Sequence, residues 1–441
     1  MTTSAVETAH TRTRAETPSS VTLSTPTLQE SKAQVLYGPK ELRLIARTIA
    51  PPAEDEVQVA IRSTTLCGSD VHYYMHHANG DIKIREPLSP GHESAGEIVA
   101  VGKHVTSFRV GDRVALEVGV PCSLPSCEAC NDGEYNLCEE MRFRSSAASF
   151  PHFQGTLQER VNHPARWCHH LPDDIGCDAG ALLEPLSVAV HAHRKAGLKA
   201  GASVLVMGAG AMGLMCATAA RAAGCADVTM MDIATNRLQF ALDNGFADAI
   251  CVSQGPARGT VLSTEEKLAV AQKNASLAVE AKAKAGCRKG PFHATFECSG
   301  VESCVQTAIY VRIFSPLEKM PPRLPALASM GMLTFSWGQS KATRPGGKVL
   351  LIGMGTPVES LPISVATRGE IGLLGVWRYA NTYPRAIEIM QAAGKLGGNV
   401  PDLQKLLTHR FGLGAATAAF QTAARTSDDD GNLVIKVVVN N

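Results

Sequence analysis

At 441 residues, with 45% apolar side chains, the chain has an ordinary globular composition and is long enough for two or three domains. Its 42 basic and 41 acidic side chains leave a net charge of +1, which excludes the electrostatic footprint of a nucleic-acid or anionic-membrane binder and leaves small molecules as expected partners. The thirteen cysteines are odd in number and no apolar signal segment precedes them, so a disulfide framework is not expected and a reducing, cytoplasmic compartment is.

Residues 1–30 are rich in Ser and Thr, carry Pro18 and Pro26, and read as a disordered tail. Arg12 and Arg14 suggest a transit peptide, but Glu7, Glu16 and Glu30 argue against one. From about residue 32 to 165 short apolar or alternating runs (VLYG, LRLIA, EVQVAIRS, AGEIVAVG) are broken by Gly, Pro, Asn and Asp, which predicts a β-rich domain. It holds CGSDVHYY (Cys67 to Tyr74), which alone reads as a turn with one thiol, and PGHESAGEIVAVG, which carries His92 and Glu93. It also holds PCSLPSCEACNDGEYNLC, where Cys122, Cys127, Cys130 and Cys138 are separated by four, two and seven residues. Four thiolates from one short, weakly apolar loop suit a tetrahedral structural zinc, which leaves no position for water and so points to stability.

The period changes after about residue 180. ALLEPLSVAV contributes Glu184. SVLVMGAG reads as a buried strand, AMGLMCATAARAAG as a helix, VTMMD as the next strand and NRLQFALDNG as the next helix, ending at Gly245. Ser263 and Glu266 form a capping box for a helix to about Gly286. HATFECSG, KVLLIGMG and IGLLGVW add strands, and the alternation predicts a doubly wound parallel sheet. LVIKVVV at the C-terminus reads as a strand returning to the β-rich domain. The uncharged run Ala200 to Ala220 is long enough for a membrane helix, but its glycines have another use.

That use is Gly208-Ala-Gly210-Ala-Met212-Gly213, which follows a strand and opens a helix, with Asp232 nineteen residues after Gly213. Glycines there allow a tight turn and close approach of backbone to a pyrophosphate at a helix N-terminus. Asp232 is suited to the adenosine ribose hydroxyls and would repel a 2′-phosphate, which favours NAD over NADP; Arg237 is the residue that could accept that phosphate. The expected cofactor site is Gly208, Gly210, Met212, Gly213, Asp232, Ile233 and Arg237.

Residues 311–341 break the pattern, because prolines 316, 321, 322 and 325 forbid a continuous helix. Joining Tyr310 to Ala342 gives ESCVQTAIYATRPGG, which reads as one uninterrupted helix. The segment is expected to be an insertion foreign to the fold, such as a translated intron would leave, with a true surface loop as the alternative.

A catalytic zinc needs about three protein ligands and an open position, and Cys67, His92 and one or both of Glu93 and Glu184 would supply it. Each residue also has an ordinary use: Cys67 as a core thiol, Glu93 as a surface charge, Glu184 as a carboxylate at a helix N-terminus. The adjacent pairs His76–His77 and His169–His170 read as solvated.

These motifs, in this order, resemble the zinc-containing medium-chain dehydrogenases, over nearly everything from about residue 32 to the C-terminus except 311–341. HPARWCHHLPDD, WRYANTYPRAI and LLTHRF are similar to the polyol branch, the sorbitol, xylitol and L-arabinitol dehydrogenases, and most of all to its fungal L-arabinitol and sorbitol members. The resemblance implies a GroES-like β-rich catalytic domain (31–187 and 378–441) and a Rossmann NAD-binding domain (188–377), with the active site between them. It implies catalytic zinc at Cys67, His92 and Glu93, with Glu184 beside it directly or through water, and structural zinc at the four cysteines of the loop. It gives Ser69 a proton-relay role, makes Asp70 a supporting residue, and sets Tyr73, Glu184, Arg378 and Tyr379 against the substrate. The implied reaction is oxidation of a sugar alcohol to its ketose, by hydride transfer from a zinc-bound alkoxide to NAD, in a homotetramer. Another secondary alcohol as substrate, an NAD-binding relative without turnover, and a zinc hydrolase are the rivals; the last would have no use for the glycine fingerprint. The sequence departs from the family in the four residues between Cys122 and Cys127, where two are usual, and in 311–341.

Overall fold

The computed structural model describes residues 1, 28–255, 262–310, 342–356 and 358–441. Of the tail expected at 1–30, residues 2–27 lie outside the described residues, and Gln29 already opens a strand paired with Glu41–Ile49. The insertion expected at 311–341 lies outside them altogether.

Glu56–Thr65 is the centre of the first sheet. Its run EVQVAIRSTT is buried on both faces, and it pairs antiparallel with Glu93–Val101, Arg160–Pro164 and the C-terminal strand Lys436–Asn440. Arg113–Leu116, Cys168–His170 and Leu407–Gly412 complete seven strands. The end of the chain thus returns to the β-rich domain, as LVIKVVV predicts.

The second sheet has six parallel strands in the spatial order Ala249–Val252, Asp227–Asp232, Ser203–Met207, Phe292–Glu297, Thr343–Leu351, Gly372–Gly375. Every residue of Ser203–Met207 is buried, because helices cover both faces of such a sheet. The order reverses between Ser203–Met207 and Phe292–Glu297, the place where ligands bind in open α/β sheets. The uncharged run Ala200 to Ala220 divides here into strand Ser203–Met207 and part of helix Ala211–Ala222. Among the described residues no helix is long and apolar enough to cross a membrane.

The capping box holds: Ser263 accepts from the Glu266 amide, and the helix runs Thr264–Lys284. The helix Glu302–Ile309 covers the expected run ESCVQTAI. It ends at Tyr310, and Thr343 already belongs to a strand paired with Phe292, so ATRPGG does not continue it. The Thr343 hydroxyl instead donates to the Ala308 carbonyl at 2.8 Å.

Candidate active site

CGSDVHYY is a helix start and not a bare turn. Cys67 is the N-cap of helix Gly68–His76, and its amide donates to Asp70 Oδ2 at 3.2 Å. The other oxygen of Asp70, fully buried, accepts from the Gly91 amide at 2.9 Å and lies 3.5 Å from His92 Nδ1. His92 Nδ1 also meets the Ser145 hydroxyl at 2.7 Å, so Nε2 is the ring nitrogen left for a ligand. Asp70 therefore orients both Cys67 and the Gly91–His92 turn.

Glu93 follows His92 at the start of its strand, directly across the ladder from Thr65. It is 1% exposed, takes a hydrogen bond from the Thr65 hydroxyl, and meets the ammonium of Lys436 at 2.6 Å. The sulfur of Cys67, a nitrogen of His92 and an oxygen of Glu93 all lie within 4.8 Å of one another, close enough to share an ion. Two carboxylates beside one thiol would be a costly concentration of negative charge, which buried Lys436 offsets. Glu184 enters from the first turn of helix Leu183–Ala196, where the helix dipole favours a carboxylate. Burial pushes its pKa up to about 7, against the pull of His92.

These groups open on a cavity of about 390 Å³. Ser69, Tyr73, His92, Glu93 and Glu184 line one side; Met212, from the first turn of helix Ala211–Ala222, and Cys298, Ser299 and Ile352, just past the ends of two parallel strands, line the other. The hydroxyl of Tyr73 accepts from the Ala147 amide at 3.2 Å. Arg378 closes the rim, 4.0 Å from the ring centroid of Phe143, and burial lowers its pKa to about 10. Tyr379 stands elsewhere than expected. It is 3% exposed and packs edge-on against Tyr383, outside the cavity lining, with its buried hydroxyl near Glu184 and without a partner among the described residues. His169 also differs from expectation: it is not solvated, since it meets Glu117 at 2.7 Å and stacks on Tyr383.

At the fingerprint, Gly208 has φ +94°, and a Cβ on Gly213 would lie 1.8 Å from the Gly208 carbonyl oxygen, so neither tolerates a side chain. A Cβ on Gly210 would meet nothing nearer than Arg237 at 3.7 Å, so its space is open for a ligand. Asp232 is held by the amides of Ala209 (2.6 Å) and Ala234 (2.8 Å). Ile233 beside it is 78% exposed, and the Nε of Arg237 is buried without a partner. An open glycine, a fixed carboxylate and an orphaned guanidinium nitrogen fit a dinucleotide.

In the loop, the sulfurs of Cys122, Cys127, Cys130 and Cys138 all lie within 4.8 Å of one another; Cys122 and Cys130 are 3.8 Å apart, Cys127 and Cys138 3.9 Å. A tetrahedron with metal–sulfur bonds of about 2.3 Å has edges of roughly 3.8 Å, so the four thiols fit zinc. The long spacing is absorbed by an outward bulge, with Ser123 at φ +55° and Leu124 exposed. All thirteen cysteines are free thiols.

Sequence reasoning missed Lys436, Thr65 and Ser145. A lone lysine inside the apolar strand LVIKVVV was the one available signal.

Residues 53–173 match the family described as alcohol dehydrogenase GroES-like domain. The chain is 35% identical to sorbitol dehydrogenase of Bos taurus over 90% of this chain and 94% of that one. It is 35% identical to L-arabinitol 4-dehydrogenase of Hypocrea jecorina, over 87% and 85%. The crystal structure of L-idonate 5-dehydrogenase from Escherichia coli has the same fold, with TM-score 0.72 at 23% identity, covering 95% of this chain and all of that one.

Proposed function

This chain belongs to the zinc-containing medium-chain dehydrogenases, in their polyol branch, and from that premise we propose that it oxidises a sugar alcohol of the sorbitol, xylitol or L-arabinitol kind to the ketose, with NAD. One observation carries the reading: a single cavity has Cys67, His92, Glu93 and Glu184 on one wall and the fingerprint residue Met212 on the other. A substrate carbon and a nicotinamide can meet only in such a cleft.

Cys67, His92 and Glu93 would hold the catalytic zinc, with Glu184 facing it, and the four loop cysteines would hold a structural zinc. When bound, the catalytic zinc supplies a Lewis acid that lowers the pKa of a substrate hydroxyl, and NAD supplies the hydride acceptor. Ser69, in the first turn after Cys67, receives the hydroxyl proton and passes it outward. Tyr73, Glu184 and Arg378 orient the neighbouring hydroxyls, with the unpartnered hydroxyl of Tyr379 near Glu184 as a fourth polar group. Gly208, Gly210 and Gly213 seat the pyrophosphate, Met212 backs the nicotinamide, and Asp232 takes the ribose hydroxyls between Ile233 and Arg237. A homotetramer in the cytoplasm, with residues 31–187 and 378–441 catalytic and 188–377 NAD-binding, completes the reading.

The test is NADH formation, followed by its near-ultraviolet absorbance, with sorbitol, xylitol, L-arabinitol and a simple secondary alcohol. Turnover of at least one polyol is expected. A zinc-loaded protein that binds NAD and never reduces it with any of them would defeat the proposal.

A further inference from the structure

The segment carrying Trp377, Arg378 and Tyr379 is backbone under strain. Arg378 has φ +51° and Asn381 φ +54°. Asparagine tolerates the left-handed region, but arginine there costs on the order of 1 kcal/mol and persists only where its surroundings over-determine it. Arg194 donates to the Ala380 carbonyl at 2.9 Å, and three further hydrogen bonds come from the four-cysteine loop. Asn136 Nδ2 donates to the Trp377 carbonyl at 2.8 Å, and the Asn381 amide donates to the Tyr135 hydroxyl at 2.7 Å. Asn381 Nδ2 donates to the Gly133 carbonyl at 2.7 Å. Tyr135 is anchored in turn, donating to Glu117 at 2.6 Å and packing with Trp167 and Ala380. Tyr135 and Asn136 lie between Cys130 and Cys138, so the loop that carries those two sulfurs also carries both hydrogen bonds.

We propose that the four-cysteine loop is a positioning device for substrate as well as a stabilising clip: through Tyr135 and Asn136 it holds the Trp377–Asn381 segment so that the Arg378 guanidinium stays at the rim of the cleft. This rests on the reading that Arg378 contacts the polyol. None of these hydrogen bonds reaches the fingerprint residues Gly208, Gly210 and Gly213 or Asp232, so cofactor affinity should not depend on the device.

The test uses the full-length zinc-loaded protein and the near-isosteric variants Tyr135→Phe and Asn136→Leu. Each raises polyol KM by about tenfold, the size of one lost hydrogen bond, and changes kcat far less. NADH affinity, read by fluorescence, and zinc content stay unchanged. In an Arg378→Ala background, which itself raises KM, neither variant has a further effect, because both act through Arg378. Unchanged KM in both folded single variants, with KM raised in Arg378→Ala, would reduce the loop to a clip. An equal further rise in the Arg378→Ala background would also overturn the proposal, by showing another route. An unchanged KM in Arg378→Ala itself would remove the premise and the proposal together.

Discussion

The Lys436 ammonium meets the Glu93 carboxylate at 2.6 Å with both groups buried, across 343 residues of chain. With Cys67, Glu93 and Glu184 gathered at one place, this lysine is the counter-ion that lets two carboxylates share the site before metal arrives. Lys436→Met leaves Glu93 buried without its cation, which costs about 3–5 kcal/mol in comparable buried pairs. The metal-free variant should lose about that much stability. The zinc-loaded variant should lose clearly less, since the metal's charge takes over the lysine's part. Urea unfolding of both forms measures it, and equal losses would rule out the counter-ion role.

The two cysteine sites should separate by single substitutions. Cys67→Ser should release one zinc per chain and abolish turnover while NAD still binds. Cys127→Ser should release the other zinc and lower the thermal midpoint, by on the order of 10 °C. Zinc analysis, NADH fluorescence and a melting curve distinguish them. Loss of folding in Cys67→Ser would make Cys67 structural.

Cofactor choice should turn on Asp232, whose carboxylate is fixed by the amides of Ala209 and Ala234. Asp232→Ser removes the ribose acceptor and the charge that repels a 2′-phosphate. We expect NAD affinity to fall by about tenfold or more and NADP binding to improve, aided by Arg237. Competitive titration of the two cofactors decides it; unchanged discrimination would show that Asp232 does not read the ribose.

Much of this was legible because its signals are local. The spacing of Cys122, Cys127, Cys130 and Cys138 and the run from Gly208 to Asp232 each sit within one loop or one βαβ unit, where chain connectivity brings the groups together. Glu93–Lys436 and Tyr135–Asn381 were not legible: their partners lie 343 and 246 residues apart, and neither member has a neighbour that announces the other. Tyr379 shows a related limit. Its place beside Arg378 suggests substrate contact, while its ring packs on Tyr383 and stays out of the cavity lining, which only the tertiary packing decides.

Acid sensitivity should be carried partly by His163. Its ring is fully buried; Nδ1 accepts from Arg144 at 3.2 Å and Nε2 donates to the Glu117 carbonyl at 3.1 Å. Burial first, then the Arg144 charge, hold its pKa well below the usual histidine value. The unfolded chain takes up this proton below about 6.5 while the folded one does not. The stability is therefore complete above about 6.5 and is lost as pH falls toward the folded pKa, by at most about 1.4 kcal/mol per pH unit. His163→Gln should flatten the fall of the urea midpoint between pH 7.5 and 5.5. Parallel slopes for the two proteins would exclude His163 as a contributor.

Removing residues 311–341 should leave the fold intact. Ala308 and Thr343, 35 positions apart, are joined by a 2.8 Å hydrogen bond, and the Thr343 hydroxyl also meets that of Thr295 at 2.8 Å. Tyr310 and Ala342 are both buried at the edge of the same apolar cluster. The two ends of the segment are therefore anchored close together by contacts among the described residues. A chain with Tyr310 joined to Ala342 needs only a local adjustment at the end of Glu302–Ile309. Shortening a link whose ends are anchored also lowers the entropy of closing it, which favours folding by about 2 kcal/mol for a link cut from some thirty-five positions to about four. We expect the deletion variant to be expressed as a folded protein, to bind NADH with unchanged affinity, and to melt at or above the temperature of the full chain. A variant that fails to fold, or that folds and loses NADH, would make the segment part of the nucleotide-binding domain and end the case for an insertion.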